Sequence, residues 1–393
     1  MRIGVVVDNE FDNDHRVQKQ VKQLVKANHS VFVLCFDFGE TYKLYTDIDV
    51  HRITINRTVK NILVLFSTRF TFYEDLWTKH IARFTKINAI EALHSHDLYM
   101  AKASRKAIDQ NRIKIPFTID LHENYPAAIN SYQWATKSWR KFIVNPKKWY
   151  AKEKEYLDYA DSIITLSDSF RIDLINFFPE LESKKFATHP NLPDFKSFQT
   201  FEKKFPKISF SSKIPTLFYF GVVAKRRGII NTLPWLAQLL TEGLKFHLLI
   251  IGPIDKADQK EFYQHLNAPV FKENSTYLPW IDISLLPSYL NSIDIGLAPF
   301  EVNPQHDSGV ANKLYQYMYG SIPILATECK AQKKLIISAN CGLVYNNFKS
   351  FRLQLKKLLE NKEYRNQLGL NGKKELLRLY ESGADQEFLK LYK

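Results

Sequence analysis

Side chains able to do chemistry gather where apolar runs stop. The run Ile3–Val7 gives way to Asp8-Asn9-Glu10-Phe11-Asp12-Asn13-Asp14-His15-Arg16, with carboxylates at alternating positions. Asp12 and Asp14 have the spacing of a carboxylate pair that holds a divalent ion against a diphosphate. Asp14, directly ahead of a periodic run, is equally placed to cap a helix by accepting from its free N–H groups. Arg16 in the first helical turn opposes the helix dipole, a position that points it toward a ligand. Two further runs end in His94-Ser95-His96-Asp97 and Asp120-Leu121-His122-Glu123, so His96 and His122 converge on one edge. No third ligand follows the two histidines at zinc spacing, and no metal is expected. His122 with Glu123 suits proton transfer, because imidazole titrates near neutrality and also hydrogen-bonds hydroxyls.

The second half of the chain carries a different chemistry. Gly221-Val222-Val223-Ala224-Lys225-Arg226-Arg227-Gly228 joins a strand to a helix. Three consecutive cations beside a helix start form an anion site, with a diphosphate as the natural occupant. Gly252-Pro253 is a turn that lets a ligand approach the backbone. Ser308-Gly309-Val310-Ala311-Asn312-Lys313 then leads from a loop into a helix that bears Gln316.

These groups need a scaffold that brings strand ends together. Arg2–Asp8 and Val31–Phe36 read as buried strands flanking a helix over Asp14–Ala27, whose apolar residues Val17, Val21, Leu24 and Val25 keep helical spacing. Strand and helix patterns alternate again over Glu91–His94, Leu98–Gln110, Pro116–Leu121 and Ser162–Leu166. After His189-Pro190-Asn191-Leu192-Pro193 and a polar stretch to Lys213, the alternation restarts. It runs through strands Thr216–Phe220, Lys245–Ile251, Ile293–Ala298 and Ile322–Ala326, with helices Asn231–Thr241, Lys256–Leu266 and Lys313–Tyr319, Gly320 stopping the last. Helices over Ser350–Glu360 and Glu363–Tyr380 follow. The expected fold class is α/β, with two doubly wound Rossmann-like domains over 1–200 and 201–372 and a C-terminal segment, 373–393, crossing back.

Composition narrows the class. The 393 residues are 45% hydrophobic with 13 glycines and 16 prolines, which excludes disordered and collagenous chains. Three cysteines, Cys35, Cys329 and Cys341, are too scattered for a disulfide framework and favour a reducing, cytoplasmic setting. The first apolar run is too short for a signal-peptide core or membrane span. A net charge of +14 suits anionic partners: nucleotide phosphates, lipid or nucleic acid. No nucleic-acid-binding signature is present, so nucleic acid is not expected.

The segment Lys313-Leu314-Tyr315-Gln316-Tyr317-Met318, with Pro323 in register, resembles the Lys-Leu-Phe-Glu-Tyr-Met-x-x-Gly-x-Pro run of the GT-B glycosyltransferases, in particular the retaining group 1 or family 4. The resemblance extends to Asp14-x-Arg16-Val17, the turn Asp120–Glu123, Arg227-Gly228 and Asn191-x-Pro193. It implies two domains facing each other across a cleft. The second would bind a nucleotide diphosphate sugar through Lys225, Arg226, Arg227, Gly252, the backbone from Ser308 to Asn312, Lys313 and Gln316. The first would bind the acceptor near Asp14, Arg16 and His96, with His122 and Glu123 at the reacting centre. No cofactor or metal is implied, since the cations neutralise the leaving diphosphate, which itself takes the acceptor proton.

Two departures stand out. The family has two glutamates seven residues apart, the second on the ribose and the first near the donor sugar; Gln316 and Ser308 occupy those places. Gln316 can still bind ribose hydroxyls through its amide. Val222 stands where many members carry an arginine, and Ser321 rather than Gly320 falls where the family has glycine. Two alternatives stay open: a GT-B sugar-nucleotide epimerase, which shares the fold and phosphate site but should carry more catalytic carboxylates, and a non-catalytic relative, which would explain the lost glutamates.

Lys137, Arg140, Lys141, Lys147, Lys148, Lys152 and Lys154 are interleaved with Trp139, Phe142, Trp149 and Tyr150, and a second aromatic stretch spans Ile62–Trp77. Cations with amphipathic rings suit an anionic headgroup layer. They point to a peripheral enzyme on the cytoplasmic face with a lipid-linked glycan as acceptor.

Overall fold

The structure is a computed structural model describing residues 1–39, 43–131, 145–204 and 214–393. The basic residues Lys137, Arg140 and Lys141, with Trp139 and Phe142, lie outside the described residues. The chain divides into two units, Met1–Pro190 with Gly383–Lys393, and Asn191–Ser382. Sequence composition puts that division at 200/201; the structure puts it before the helix Phe195–Lys204, whose Phe198 packs with Leu314 and Tyr319 of the second unit.

The first unit holds a seven-stranded, wholly parallel sheet in the order β3-β2-β1-β4-β5-β6-β7. Its strands are β1 Arg2–Val6, β2 Ser30–Asp37, β3 Asp49–Thr54, β4 Ala92–His96, β5 Phe117–Asp120, β6 Ser162–Thr165 and β7 Lys185–Thr188. Successive side chains of a strand leave on opposite faces. Val31, Val33 and Cys35 of β2 accordingly enter one core with Ile3 and Val5, while Leu34 and Phe36 enter another with Val6, Trp77 and Phe117. Both faces are covered, which explains the near-continuous apolar runs. The C-terminal segment, Ala384–Tyr392, inserts Phe388 and Tyr392 into the first of these cores.

The second unit repeats the plan with six parallel strands in the order β10-β9-β8-β11-β12-β13. These are β8 Thr216–Phe220, β9 His247–Ile251, β10 Ser275–Leu278, β11 Ile295–Ala298, β12 Ile324–Thr327 and β13 Gly342–Tyr345. Leu217 and Tyr219 of β8 face one core and Phe218 the other. In both sheets the strand order reverses beside the first strand, and open α/β sheets bind ligands outside the carboxyl ends at such a switch point.

Candidate active site

In the first unit the loops after β1, β4 and β5 meet at the switch point. His122, two residues beyond β5, keeps 19% of its side chain exposed. Its Nε2 lies 2.9 Å from His96 Nδ1 and its Nδ1 3.8 Å from Asp97 Oδ1. Glu123 is half-exposed beside it. Asp97 holds φ 71°, a conformation that few residues other than glycine, asparagine and aspartate accept. The turn aims its carboxylate at His122, and Tyr99 Oη donates to its other oxygen at 3.2 Å.

Beneath His122 lies a buried ion pair. Arg16 donates to Asp120 through Nε (2.9 Å) and Nη2 (2.7 Å), and through Nη1 to the carbonyl of His189 (2.8 Å). The guanidinium expected to face a ligand is thus spent inside the unit, because the helix His15–Lys26 begins directly over the end of β5. Asp14 caps that helix, accepting from Val17 N at 3.0 Å. Asp12 pairs with Arg52 at 2.9 Å and accepts from Tyr45 Oη, so Asp12 and Asp14 do not act as a pair. His96 is fully buried and supports His122 from behind.

The donor atoms of His94, His96 and Asp120 fall within 4.8 Å of one another. Both Asp120 oxygens already accept from Arg16, and one also accepts from Gln20 at 2.7 Å. A guanidinium in that place repels a second cation, and the residues do not fit a divalent ion.

The protonation pattern follows from these contacts. Burial opposes charge on His122, but Asp97 and the hydrogen bond to Asp120 outweigh it and hold the imidazole up at about 9. Burial pushes His96 down. His122 therefore carries the proton of the 2.9 Å contact and His96 accepts it. Burial also works against ionisation of Asp120, yet Arg16 and the charged His122 keep it well below the usual carboxylate range.

In the second unit, Gly228 ends the turn Lys225–Arg227 at φ 79° and opens the helix Ile229–Thr241. A Cβ there would stand 1.5 Å from the Pro299 carbonyl oxygen, so only glycine lets this turn lie against the end of β11. Gly252, at φ 149°, is packed in the same way on the carbonyl of Gly221. Of the three expected cations, Lys225 turns away to Glu261 at 2.9 Å. Arg226 and Arg227 remain half-buried at the strand end. The third cation of the site is Lys313, from the helix Asn312–Tyr319.

Lys313 is 6% exposed, and its Nζ makes no hydrogen bond among the described residues. It sits 3.5 Å over the Tyr219 ring and 5.0 Å from the centre of Phe300. Nζ is also 3.8 Å from where a Cβ on Gly221 would stand, which places it under the strand-to-helix loop. Burial, reinforced by Arg227, pushes its pKa well below the ordinary lysine value. A buried polar group without a partner is costly and marks a position completed by a ligand.

Gln316 is buried on the same helix, Asn312 is exposed at its start, and Ser308 is buried with Gly309, Val310 and Ala311 half-exposed above it. Gly320 ends the helix at φ −74°, and the left-handed residue is Ser321 at φ 55°. The position where the family carries glycine is thus the one that needs a positive φ.

Sequence reasoning passed over three contributors: Asp97, the aromatic floor of Tyr219 and Phe300, and His306. The Phe300 ring has Arg227 Cζ at 5.6 Å, Lys313 Nζ at 5.0 Å and the His306 ring at 5.0 Å. Position was the available signal for Asp97 and Phe300, which come just after buried strands; Tyr219 lies inside β8 and His306 on the short helix Pro304–Asp307, where no such signal exists.

Residues 200–375 match the family model for glycosyl transferases group 1, and residues 15–193 match that for glycosyltransferase family 4. The chain is 22% identical over 241 residues to the capsular polysaccharide biosynthesis glycosyltransferase CapM of Staphylococcus aureus, spanning 57% of this chain and 59% of that protein. The match thus takes in less than two thirds of that relative. Sucrose-phosphate synthase of Thermosynechococcus elongatus has the same fold, with a TM-score of 0.74 at 14% identity over 100% of this chain and 98% of that one. The UDP-forming alpha,alpha-trehalose-phosphate synthase of Burkholderia vietnamiensis superposes with a TM-score of 0.68 at 11% identity, covering 99% of each chain. The family models leave only 1–14, 194–199 and 376–393 unmatched, and each half carries a doubly wound parallel sheet. The chain belongs to the group 1 and family 4 glycosyltransferases of the GT-B fold.

Proposed function

We propose that the protein is a retaining glycosyltransferase that moves a sugar from a nucleotide diphosphate sugar to a hydroxyl of a glycan, in the assembly of cell-surface polysaccharide or glycolipid. The observation that carries this reading is Lys313, a buried amine without a hydrogen-bond partner among the described residues, beside Arg226 and Arg227. Arg226, Arg227 and a Lys313 protonated against the bound phosphate suit the two charges of the diphosphate and the third that develops when the bond from anomeric carbon to phosphate oxygen breaks. The acceptor oxygen forms the new bond to that carbon, and its proton passes to the departing diphosphate. Gln316 holds the ribose and the backbone from Ser308 to Asn312 the sugar. His122, as an imidazolium, donates a hydrogen bond to an oxygen at the reacting centre, with Glu123 beside it. The polysaccharide assignment draws on the name of the S. aureus relative. A nucleotide sugar as donor accords with a same-fold E. coli protein described as bound with UDP-2-fluoro glucose.

The direct test is incubation with UDP-, GDP- and dTDP-sugars in EDTA, read by mass spectrometry for nucleoside diphosphate. At least one donor should turn over slowly without acceptor and without metal. Absence of binding and of turnover across the panel would overturn the reading, and a strict need for Mg²⁺ would overturn the cation-only account.

We further propose that the acceptor is lipid-linked and that the first unit touches an anionic membrane. No helix among the described residues is long and apolar enough to cross one. Trp149, Tyr73 and Trp77 are buried and cannot serve as anchors. The helix Arg57–Phe66, by contrast, buries none of its residues, and Val59, Ile62, Phe70 and Phe72 are about half exposed or more. The rings of Phe70 and Phe72 stack at 5.6 Å, and Arg57 and Arg69 are exposed in the same stretch of chain. Vesicles containing phosphatidylglycerol should sediment the protein at low salt, less so at high salt, and not after Phe70 and Phe72 are both replaced by serine. No sedimentation at low salt would return the acceptor to the soluble class.

A further inference from the structure

The loop after β11 holds a second buried polar atom that the protein leaves unsatisfied. His306 is 8% exposed, and its Nε2 has no hydrogen-bond partner among the described residues. Its Nδ1 lies 2.7 Å from the carbonyl oxygen of Glu301. A carbonyl oxygen only accepts, so Nδ1 carries the hydrogen; a bare nitrogen lone pair at that distance would be repelled. Asn303 Nδ2 approaches the same nitrogen at 3.2 Å, a longer contact that does not reverse this choice. Burial pushes the His306 pKa down to about 4, the Glu301 hydrogen bond opposes that, and Arg227, Arg226 and Lys313 push it further down. The ring is therefore neutral at physiological pH, and a neutral ring protonated at Nδ1 presents a lone pair at Nε2.

An acceptor in a cluster of cations is out of place for binding phosphate, which offers oxygen lone pairs of its own. It is in place for a hydroxyl. Lys313 Nζ and the His306 ring each lie 5.0 Å from the centre of the Phe300 ring, with Arg227 Cζ at 5.6 Å, so a group donating to His306 lies in the same neighbourhood as a phosphate on Lys313. With the ribose assigned to Gln316, the hydroxyls of a nucleotide diphosphate sugar left for His306 are those of the transferred sugar. Ser308, two residues on, is 2% exposed and donates its hydroxyl hydrogen to the Gln305 carbonyl at 2.7 Å, so a neutral hydroxyl stands where the family has a carboxylate. The family's first glutamate, an acceptor near the donor sugar, is absent from that position, and a neutral imidazole supplies the acceptor instead.

We propose that His306 is a donor-specificity residue whose Nε2 accepts a hydrogen bond from a hydroxyl of the transferred sugar. The inference rests on the reading of the second unit as a nucleotide-sugar site. Calorimetry on matched pairs separates the two: UDP against UDP-glucose and UDP-N-acetylglucosamine, GDP against GDP-mannose, dTDP against dTDP-glucose. In the wild type at least one sugar should tighten binding over its parent diphosphate. In His306→Phe that gain should fall about tenfold, the scale of one buried hydrogen bond left unmade, while the parent diphosphate stays within about threefold of wild type. His306→Gln, which can offer an amide oxygen, should keep part of the gain. Nitrogen-15 NMR of the wild-type ring should show a proton on Nδ1 and none on Nε2, with Nε2 shifting on addition of the sugar nucleotide but not of the parent. An unchanged gain in His306→Phe, or a proton on Nε2, overturns the assignment while leaving the donor site intact. If no diphosphate or sugar nucleotide binds the wild type, the donor-site reading fails and this inference with it.

Discussion

Lys313→Met is expected to raise thermal stability and remove nucleotide binding in the same step. The side chain is buried, carries no hydrogen bond among the described residues, and has its pKa held well below the ordinary lysine value by burial and by Arg227. A depressed lysine pKa means that the unfolded chain binds the proton more tightly than the folded one. Wild-type stability should therefore rise with pH across the window between the depressed value and about 10.4, and Lys313→Met should be flat there. Removing the charge while keeping the methylene stem relieves that penalty, and a rise in Tm of about 2–6 °C is expected. The same substitution removes the cation that a diphosphate would meet, so donor turnover should fall about 10²–10³-fold. A nucleoside diphosphate should raise the Tm of the wild type and leave that of Lys313→Met unmoved. Arg227→Ala should be milder, costing about 1–3 kcal/mol of diphosphate binding without a gain in stability. Undiminished diphosphate affinity in Lys313→Met would show that the ammonium faces no phosphate, and the proposed function would lose its main support.

The sheets show which parts of such a fold a single sequence exposes. Central strands such as β9 and β11 read directly from their apolar runs, Leu248–Ile251 and Ile295–Ala298, both buried throughout. The strands that escaped reading are β3, β7, β10 and β13, and these are the four sheet edges. An edge strand such as Asp49-Val-His-Arg-Ile-Thr or Ser275-Thr-Tyr-Leu is half solvated, so its composition resembles that of a loop. Side-chain partners are hidden in the same way. Arg16 reads as ligand-facing because its partner, Asp120, lies 104 residues away. Lys225 reads as a phosphate ligand because Glu261 belongs to another helix. Trp149 reads as a membrane anchor until Tyr125 and Tyr156 close around it. Strand ends, where the sheet itself gathers the residues, were legible as site positions; the commitments among those residues were not.

Asp97 is where that hidden layer should have its largest effect on the reacting centre. Asp97→Asn should move the alkaline limb of donor hydrolysis from near pH 9 down toward neutrality. His122 is held up at about 9 against burial chiefly by the Asp97 carboxylate, with the hydrogen bond to Asp120 adding to it. If the imidazolium is the working form, wild-type activity should persist until pH rises through about 9, and should fall earlier once the Asp97 charge is gone. At pH 8 the loss in Asp97→Asn should be about tenfold, and His122→Ala should lose about a hundredfold and show no such limb. Asparagine is the informative replacement because it tolerates the φ of 71°, so the turn is kept while the charge is removed. Asp97→Ala adds backbone strain and confounds the two. Stability gives an independent sign. A histidine whose folded pKa is raised contributes stability that is complete below its unfolded value of about 6.5 and is lost as pH climbs through about 9, and that slope should shrink in Asp97→Asn. An NMR titration of the His122 ring reads the pKa directly. The same value in both proteins would mean that the strained turn at Asp97 serves the backbone alone, and that the charge on His122 is set by Asp120 beneath it.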